Sequence, residues 1–321
     1  MHAIRHRPNV RAVTSSGRTR SARTLRTHGR SCSRRSADAP GYAGVVPELP
    51  EVETVRAELE PSLVGRTFEH VEIHDPRLTR PLDPASVAAQ LEGERVRFVD
   101  RRGKYLIVRF ESGCSLLIHL RMTGSLRHAA AGELGDDPHR RAVVRLDDGS
   151  DVAYRDVRRF GTWLVARDDD LDAYLDDRLG REPLERAFTP ARLSDEIRGR
   201  RAPIKAALLD QRTLAGMGNI YVDEALWRAR IHPLRPAGDL TADEVAELTR
   251  AVKASLRAGI ARQGATLRDY ATPNGQRGRM QTAFNVYGRG GEPCERFGTP
   301  TDKIRVAGRG TWYCPRCQRL K

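Results

Sequence analysis

The amino-acid sequence predicts an α+β protein: an antiparallel β-sandwich with a flanking helix, then a helical domain, then a cysteine-bearing β-hairpin. Three observations carry this. From 67 to 166 apolar residues recur in short alternating runs broken by glycine, the pattern of strands with one buried face. From 189 to 263 the period lengthens to that of amphipathic helices. Three of the five cysteines, Cys294, Cys314 and Cys317, crowd into the last 28 residues, which argues for a metal site rather than a disulfide framework.

The elements follow in chain order. Pro47-Glu48-Leu49-Pro50 is an extended lead-in. A helix is expected over 51–60, because Val52, Val55 and Leu59 share a face, Glu51 and Glu53 favour its N-terminus and Pro61 stops it. Strands are expected at 95–99, 104–110, 115–120, 142–146, 151–154 and 162–166, with a hairpin turn at 111–113. The acidic run 168–177 and the stretch around Gly180 read as a linker. Helices are expected at 189–197, 204–210, 219–230, 241–263 and 267–270, and Thr241 with Glu244 forms a capping box. Residues 272–279 are rich in Gly, Pro, Asn and Arg and read as a loop. The resulting division is an extension at 1–46, a β-sandwich domain at 47–170, a linker at 171–188, a helical domain at 189–283 and a hairpin module at 284–321.

The chain of 321 residues has room for two domains and a small third module. No apolar run reaches the length of a membrane span. The formal charge of +14 suggests a polyanionic partner. Its distribution is more informative than its total. Residues 1–46 hold ten Arg, no Lys and one acid, Asp38, and so contribute +9. Residues 289–321 contribute +5 and the stretch between nets to zero. The extension lacks any apolar period and cannot bury enough surface to fold alone. It reads as a disordered basic arm, as a transit peptide, or as a segment absent from the native protein. The last reading is favoured: Val46 precedes Pro47, a valine codon can start a bacterial protein as Met, and loss of that Met exposes Pro47.

Several motifs make the chain recognisable. Pro47-Glu48-Leu49-Pro50-Glu51-Val52-Glu53-Thr54-Val55 resembles the N-terminus of the formamidopyrimidine-DNA glycosylase and endonuclease VIII family. The resemblance extends to Arg102-Gly103-Lys104-Tyr105-Leu106, His119-Leu120-Arg121-Met122-Thr123-Gly124-Ser125-Leu126 and Asp156-Val157-Arg158-Arg159-Phe160-Gly161. It continues through Gly216-Met217-Gly218-Asn219-Ile220-Tyr221 and Val286-Tyr287-Gly288-Arg289. The motifs occur in family order over 47–321, and the Leu-Pro-Glu-Val-Glu form is similar to the oxidised-purine branch. The resemblance implies that the helical domain is a helix–two-turns–helix and the C-terminal module a zinc-finger-like β-hairpin. It implies a monomeric, cytoplasmic enzyme acting on damaged double-stranded DNA, with no membrane and no nucleotide cofactor.

The chemistry of the residues agrees. A glycosylase with lyase activity needs an amine to attack the sugar C1′. An N-terminal proline offers a secondary amine, and α-amino groups titrate near ~8, below lysine at ~10.4. Pro47 inside a longer chain has only an amide nitrogen; on that reading it simply starts a turn. Glu48, beside the amine, suits proton transfer, and Glu51 is matched by an acid in the family. Lys104 is implied to reach the damaged nucleotide, where the alternative is a solvated turn lysine. Met122, Arg158 and Phe160 match the trio that fills the void left by a flipped base, where the alternative for Met122 and Phe160 is a place in the core. On a strand Arg158 and Phe160 would share a face while Arg159 turned away toward phosphate. Lys205 and Asn219 match phosphate contacts, with Asn219 capping its helix and Gly216 and Gly218 letting backbone amides approach phosphate. Arg309 matches the arginine of the hairpin tip.

The cysteines depart from the family pattern. Cys314 and Cys317 form one pair, but Phe297 stands where a partner for Cys294 belongs. Tetrahedral zinc needs four ligands, so Zn2+ is possible with Asp302 or water completing the set. A metal-free hairpin packed around Phe297 is the alternative. The sequence expectation is therefore an oxidised-purine DNA glycosylase and lyase. The alternatives are an oxidised-pyrimidine enzyme of the endonuclease VIII kind, or a DNA-binding homologue without lyase activity. His119 and Cys114 are expected to be structural.

Overall fold

The computed structural model describes residues 46–320, so the extension expected at 1–46 lies, Val46 apart, outside the described residues. Helix α1 (Leu49–Leu63) begins two residues after Pro47. Pro50 suits its first turn, where a backbone N–H would find no intrahelical partner. Pro61 does not stop the helix as expected. It lies in the last turn, where its ring removes one hydrogen bond, and the Val64 N–H still closes on Glu60 O at 3.0 Å. Leu49 packs in the core of the helical part, whereas Val52, Val55, Leu59 and Leu63 pack in the core of the sandwich. One helix therefore belongs to both cores.

The β part is two four-stranded antiparallel sheets. One contains β1 (Phe68–Ile73), β5 (Gly124–Ala129), β6 (Arg140–Leu146) and β7 (Asp151–Asp156), in the order β1-β6-β7-β5. The other contains β2 (Val96–Arg102), β3 (Tyr105–Phe110), β4 (Cys114–His119) and β8 (Thr162–Arg167), in the order β2-β3-β4-β8. The turn expected at 111–113 joins β3 to β4. Leu106, Phe110, Leu116, Tyr154 and Trp163 fill the space between the sheets, and Phe68 meets Phe110 edge-to-face with centroids 5.2 Å apart.

Two helices were not read from the sequence. In α2 (Pro84–Leu91) the Asp83 carboxylate accepts from Ser86 N at 3.2 Å, an N-cap followed by proline. The acidic run read as linker forms α3 (Asp168–Asp176). Its first-turn aspartates complement the helix dipole, and Leu171 and Leu175 pack on Ile107 and Leu117.

The helical part holds α4 (Pro190–Ile197), α5 (Ile204–Leu209), α6 (Asn219–Ala229) and α7 (Ala242–Ala261). The helix expected at 267–270 does not form. Four residues are too few to repay nucleation, and Thr266 Oγ1 instead donates to Tyr270 O at 2.9 Å, closing a loop. Residues 272–279 are irregular, as read from sequence. The chain ends in a hairpin of β9 (Asp302–Val306) and β10 (Arg309–Tyr313). Among the described residues no helix is long and apolar enough to cross a membrane.

The segment leading to the hairpin hangs on one carboxylate. Fully buried Glu224 of α6 accepts from the backbone N–H groups of Asn285, Val286 and Tyr287 at 2.9–3.1 Å, and from Asn285 Nδ2 at 2.6 Å. Replacing it leaves three buried N–H groups without an acceptor, at ~1–3 kcal/mol each before relaxation. Glu224→Leu is expected to lower stability by about 3 kcal/mol in urea unfolding and to open 284–288 to proteolysis. Wild-type resistance in that variant would contradict this role.

Candidate active site

The site is built where the N-terminus of α1 meets the N-terminus of α6. Glu48 lies just before α1 and is almost wholly buried. Its Oε1 accepts from Ile220 N at 2.9 Å and its Oε2 from Tyr221 N at 3.3 Å, so it caps α6. The sequence had assigned those amides to phosphate and the cap to Asn219. In the structure Asn219 is the first helical residue and the carboxylate of Glu48 takes the amides. The contact depends on glycine: a Cβ on Gly218 would lie 2.2 Å from Glu48 Cδ, and one on Gly216, at φ +84°, would lie 2.7 Å from Leu49 Cβ. Burial raises the Glu48 pKa, opposed first by the charge of Lys104 and then by the Ile220 and Tyr221 N–H groups.

Glu51, one turn on, faces the same seam. Its Oε1 accepts from Tyr221 Oη at 2.8 Å and Ala265 N at 2.7 Å, and its Oε2 from Glu48 N at 2.9 Å. Burial, reinforced by the charge of Glu48, pushes its pKa up to about 7. Two buried carboxylates thus sit beside Pro47, which is itself buried and lines a cleft of about 80 Å³ with Glu51, Met122, Arg158 and Tyr270.

Two lysines, Lys104 and Lys205, act on the carboxylates, and Arg309 acts on both lysines. Lys104 occupies the two-residue turn between β2 and β3, where Arg102 pairs with Tyr105. Gly103 there has φ +58° and donates its N–H to Glu182, which also accepts from Arg101. Burial lowers the Lys104 pKa, countered by Glu48 and reinforced by Arg309. Arg309 is exposed at the hairpin tip, directly after the left-handed residues Ala307 and Gly308. Lys205 is not at the surface as expected of a phosphate contact: at 0% exposure its Nζ donates to Asp223 Oδ1 at 2.7 Å and to Gly310 O at 3.2 Å. Asn219 Nδ2 donates to the same Gly310 O at 3.0 Å, and Asp223 Oδ2 accepts from Trp312 N at 3.0 Å. Lys205, Asn219 and Asp223 therefore fasten the strand that carries Arg309. No motif announced Asp223 or Glu182; each acts on backbone from another element.

Met122, Arg158 and Phe160 stand on two neighbouring loops. Arg158 and Phe160 are not on a strand, because Arg159 has φ +60°, but the Arg158 guanidinium still lies over the Phe160 ring at 4.8 Å. Phe160 is 50% exposed and is not a core residue. Met122 lines the cleft. Arg159 turns away as expected, but toward the buried Asp75, to which its Nη2 donates at 2.7 Å. His119 accepts from Arg121 N at 3.0 Å through Nδ1 and packs on Tyr105; burial drives its pKa down to about 3, so it is a neutral structural residue.

The sulfurs of Cys294, Cys314 and Cys317 lie within 4.8 Å of one another, with Cys294 and Cys317 3.6 Å apart. Tetrahedral zinc with Zn–S near 2.3 Å sets sulfurs roughly 3.8 Å apart, so three corners of a site fit. Trp227 Nε1 donates to Cys294 Sγ at 3.4 Å, a support suited to a metal-bound thiolate. No carboxylate or imidazole among the described residues joins the group. Phe297 does not pack inside as an apolar substitute; it is 43% exposed, beneath the Arg316 guanidinium at 4.6 Å.

A sandwich and a helical domain meet at two buried carboxylates, with a cysteine hairpin whose Arg309 acts on Lys104, an arrangement of the DNA-lesion enzyme class. The comparisons identify the family. Residues 46–163 match the formamidopyrimidine-DNA glycosylase N-terminal domain, 179–271 its H2TH domain, and 291–320 the zinc finger found in FPG and IleRS. The formamidopyrimidine-DNA glycosylase of Roseiflexus sp. is 47% identical over 275 residues, covering 85% of this chain and 100% of the relative. That of Geobacillus kaustophilus is 46% identical over 277 residues, with 85% and 100% covered. Among solved structures, Lactococcus lactis Fpg in complex with DNA containing an abasic site matches with a TM-score of 0.79 at 37% identity, covering 85% of this chain and 99% of that one. MutM in complex with DNA containing carbocyclic 8-oxo-G matches with a TM-score of 0.78 at 38% identity, with 85% and 100% covered. The chain belongs to the formamidopyrimidine-DNA glycosylase family.

The buried acid at Glu51 makes stability depend on pH. An unfolded glutamate loses its proton near 4.5, whereas folded Glu51 keeps it to about 7. Between these values the folded state binds more protons, so stability falls as pH rises through the window. Urea unfolding should show that decline, and Glu51→Gln should flatten it by up to about 3 kcal/mol. An unchanged pH slope in the variant would rule out Glu51 as the source.

Proposed function

We propose that this protein removes oxidised purines, 8-oxoguanine and formamidopyrimidines, from double-stranded DNA and then cuts the strand at the resulting abasic site, with Pro47 as nucleophile. The observation that carries the reading is the position of Pro47: in the cleft, joined to one buried carboxylate and one turn from another, opposite Met122 and Arg158. The active form on this reading begins at Pro47, since an amide nitrogen is not nucleophilic. The family match that begins at residue 46 supports that start. The bacterial relatives favour a cytoplasmic repair enzyme.

The Pro47 amine attacks C1′ of the flipped nucleotide and the base departs. Glu48 suits the proton transfers of sugar opening and elimination, because burial favours its neutral form while Lys104 favours its charged one. Lys104, whose charge acts on Glu48, and Arg309, whose charge acts on Lys104, suit the phosphates flanking the lesion. Lys205 and Asn219 act by fixing the strand below Arg309. Met122, Arg158 and Phe160 fill the gap and meet the orphaned base. Elimination on both sides of the open sugar then breaks the strand.

The test is borohydride trapping with duplex DNA containing 8-oxoguanine. The chain beginning at Pro47 is expected to give a covalent adduct, and the full 321-residue chain none. Glu48→Gln should slow base release by ~10²–10⁴-fold. Absence of an adduct from the Pro47 form would leave a DNA-binding homologue.

In the hairpin module, Cys294, Cys314 and Cys317 would hold Zn2+ on this reading. The metal would supply structure, not chemistry. Phe297→Cys is then expected to slow zinc loss to a chelator at least tenfold, measured with a zinc-sensitive dye. Equal rates, or no zinc in either protein, would count against the three-cysteine site.

A further inference from the structure

The two loops that carry Met122, Arg158 and Phe160 are separate in sequence, yet one carboxylate is bonded to both. Asp156, the last residue of β7, is 1% exposed. Its Oδ1 accepts from the Thr123 hydroxyl and, at 3.2 Å, from Arg158 N. Its Oδ2 accepts from Gly161 N at 2.7 Å. Thr123, beside Met122, gives its only proton to Asp156 and accepts from Arg158 N at 2.9 Å through a lone pair. These partners of the carboxylate are uncharged donors, one on the Met122 turn and two on the Arg158–Phe160 loop. The β7 strand also fixes the carboxylate from behind, since Asp156 N donates to His139 O and Arg141 Nε to Asp156 O, both at 2.9 Å.

A second, independent contact joins the same loops. The Tyr154 hydroxyl is buried without a hydrogen-bond partner of its own. A Cβ on Gly124 would lie 2.4 Å from it and a Cβ on Gly161 only 1.7 Å. Neither glycine has a left-handed φ among the described residues, so close packing demands them: against this phenol at Gly161, and against both the phenol and Leu120 O at Gly124. Both loops are thus pressed onto one ring and tied to one carboxylate two residues further on.

We propose that Asp156 is a positioning residue that locks the Met122 turn to the Arg158–Phe160 loop, so that the three void-filling side chains enter the duplex as one rigid unit. The proposal rests on the reading of the cleft given above. Unstacking a base costs a few kcal/mol. Side chains that are fixed beforehand lose less freedom on insertion than chains on independent loops. Asp156 does not line the cleft that holds Pro47, so its effect falls on opening the duplex rather than on breaking bonds.

The test compares two substrates in the form of the chain that traps DNA. Release of 8-oxoguanine from a duplex requires opening the stack; cleavage of a ready-made abasic site in single-stranded DNA does not. Asp156→Asn is expected to slow the first at least tenfold under single turnover and the second less than twofold. A 2-aminopurine opposite the lesion should brighten on binding the wild type and stay dim with Asp156→Asn at DNA saturation. Thr123→Val, which keeps the carboxylate, should also leave it dim, and it serves as the test should Asp156→Asn not fold. Combining the two should cost no more than Asp156→Asn alone, because both break one network. Equal loss on both substrates, or full brightening in the variants, would overturn the proposal. A wild type inactive on both substrates would instead overturn the parent reading of the cleft, and this one with it.

Discussion

The structure depends on the bond between Glu48 and the first amides of α6. A helix N-terminus presents unpaired N–H groups and partial positive charge, which here join the charge of Lys104 in holding a buried carboxylate. Glu48 supplies that carboxylate from the start of α1. Leu49 N donates to Gly216 O at 3.0 Å, and Glu51 then reaches Tyr221 and Ala265. Because α1 also packs its next two turns into the sandwich, these few bonds hold the two cores together. Gly216, Gly218 and Gly264 are consequences of the same seam: a Cβ at Gly264 would lie 2.7 Å from Glu51 Cγ.

The sequence made the strands and long helices legible because their burial is periodic. Val52, Val55 and Leu59 announce a buried helix face by their spacing, and the nearly unbroken apolar runs of β3 and β4 announce strands covered on both sides. The acidic run of α3 concealed a helix because only Leu171 and Leu175 carry its apolar stripe. The motif residues around the cleft were legible through resemblance. Their partners were not. Asp223, Glu224 and Glu182 bind backbone groups of distant segments, and a backbone amide leaves no mark on the sequence of its acceptor. Lys205 illustrates the limit: a basic residue near a glycine turn reads as a phosphate ligand, and only its complete burial against Asp223 reveals a fastening role.

The C-terminal module follows the same economy of means. Its cysteines form a compact group with no fourth protein ligand among the described residues, and Phe297 points outward. The hairpin nevertheless has anchors that involve no sulfur: Glu224 on the entering chain, Lys205 and Asn219 on Gly310, and Gln318 Nε2 donating to Ile231 O at 2.9 Å. Phenylalanine at 297 is tolerable in a module whose place is fixed from several sides.

The Glu48 cap ties the seam to a proton. While Glu48 is ionised its hold on Ile220 and Tyr221 is charge-assisted, and such bonds are roughly twice as strong as those to a neutral acceptor. Whenever a proton rests on Glu48, the seam between the sandwich and the helical part is at its weakest. The protonation of Glu48 and the strength of that seam are therefore two readings of a single oxygen pair, and no substitution at Glu48 can adjust one while leaving the other alone.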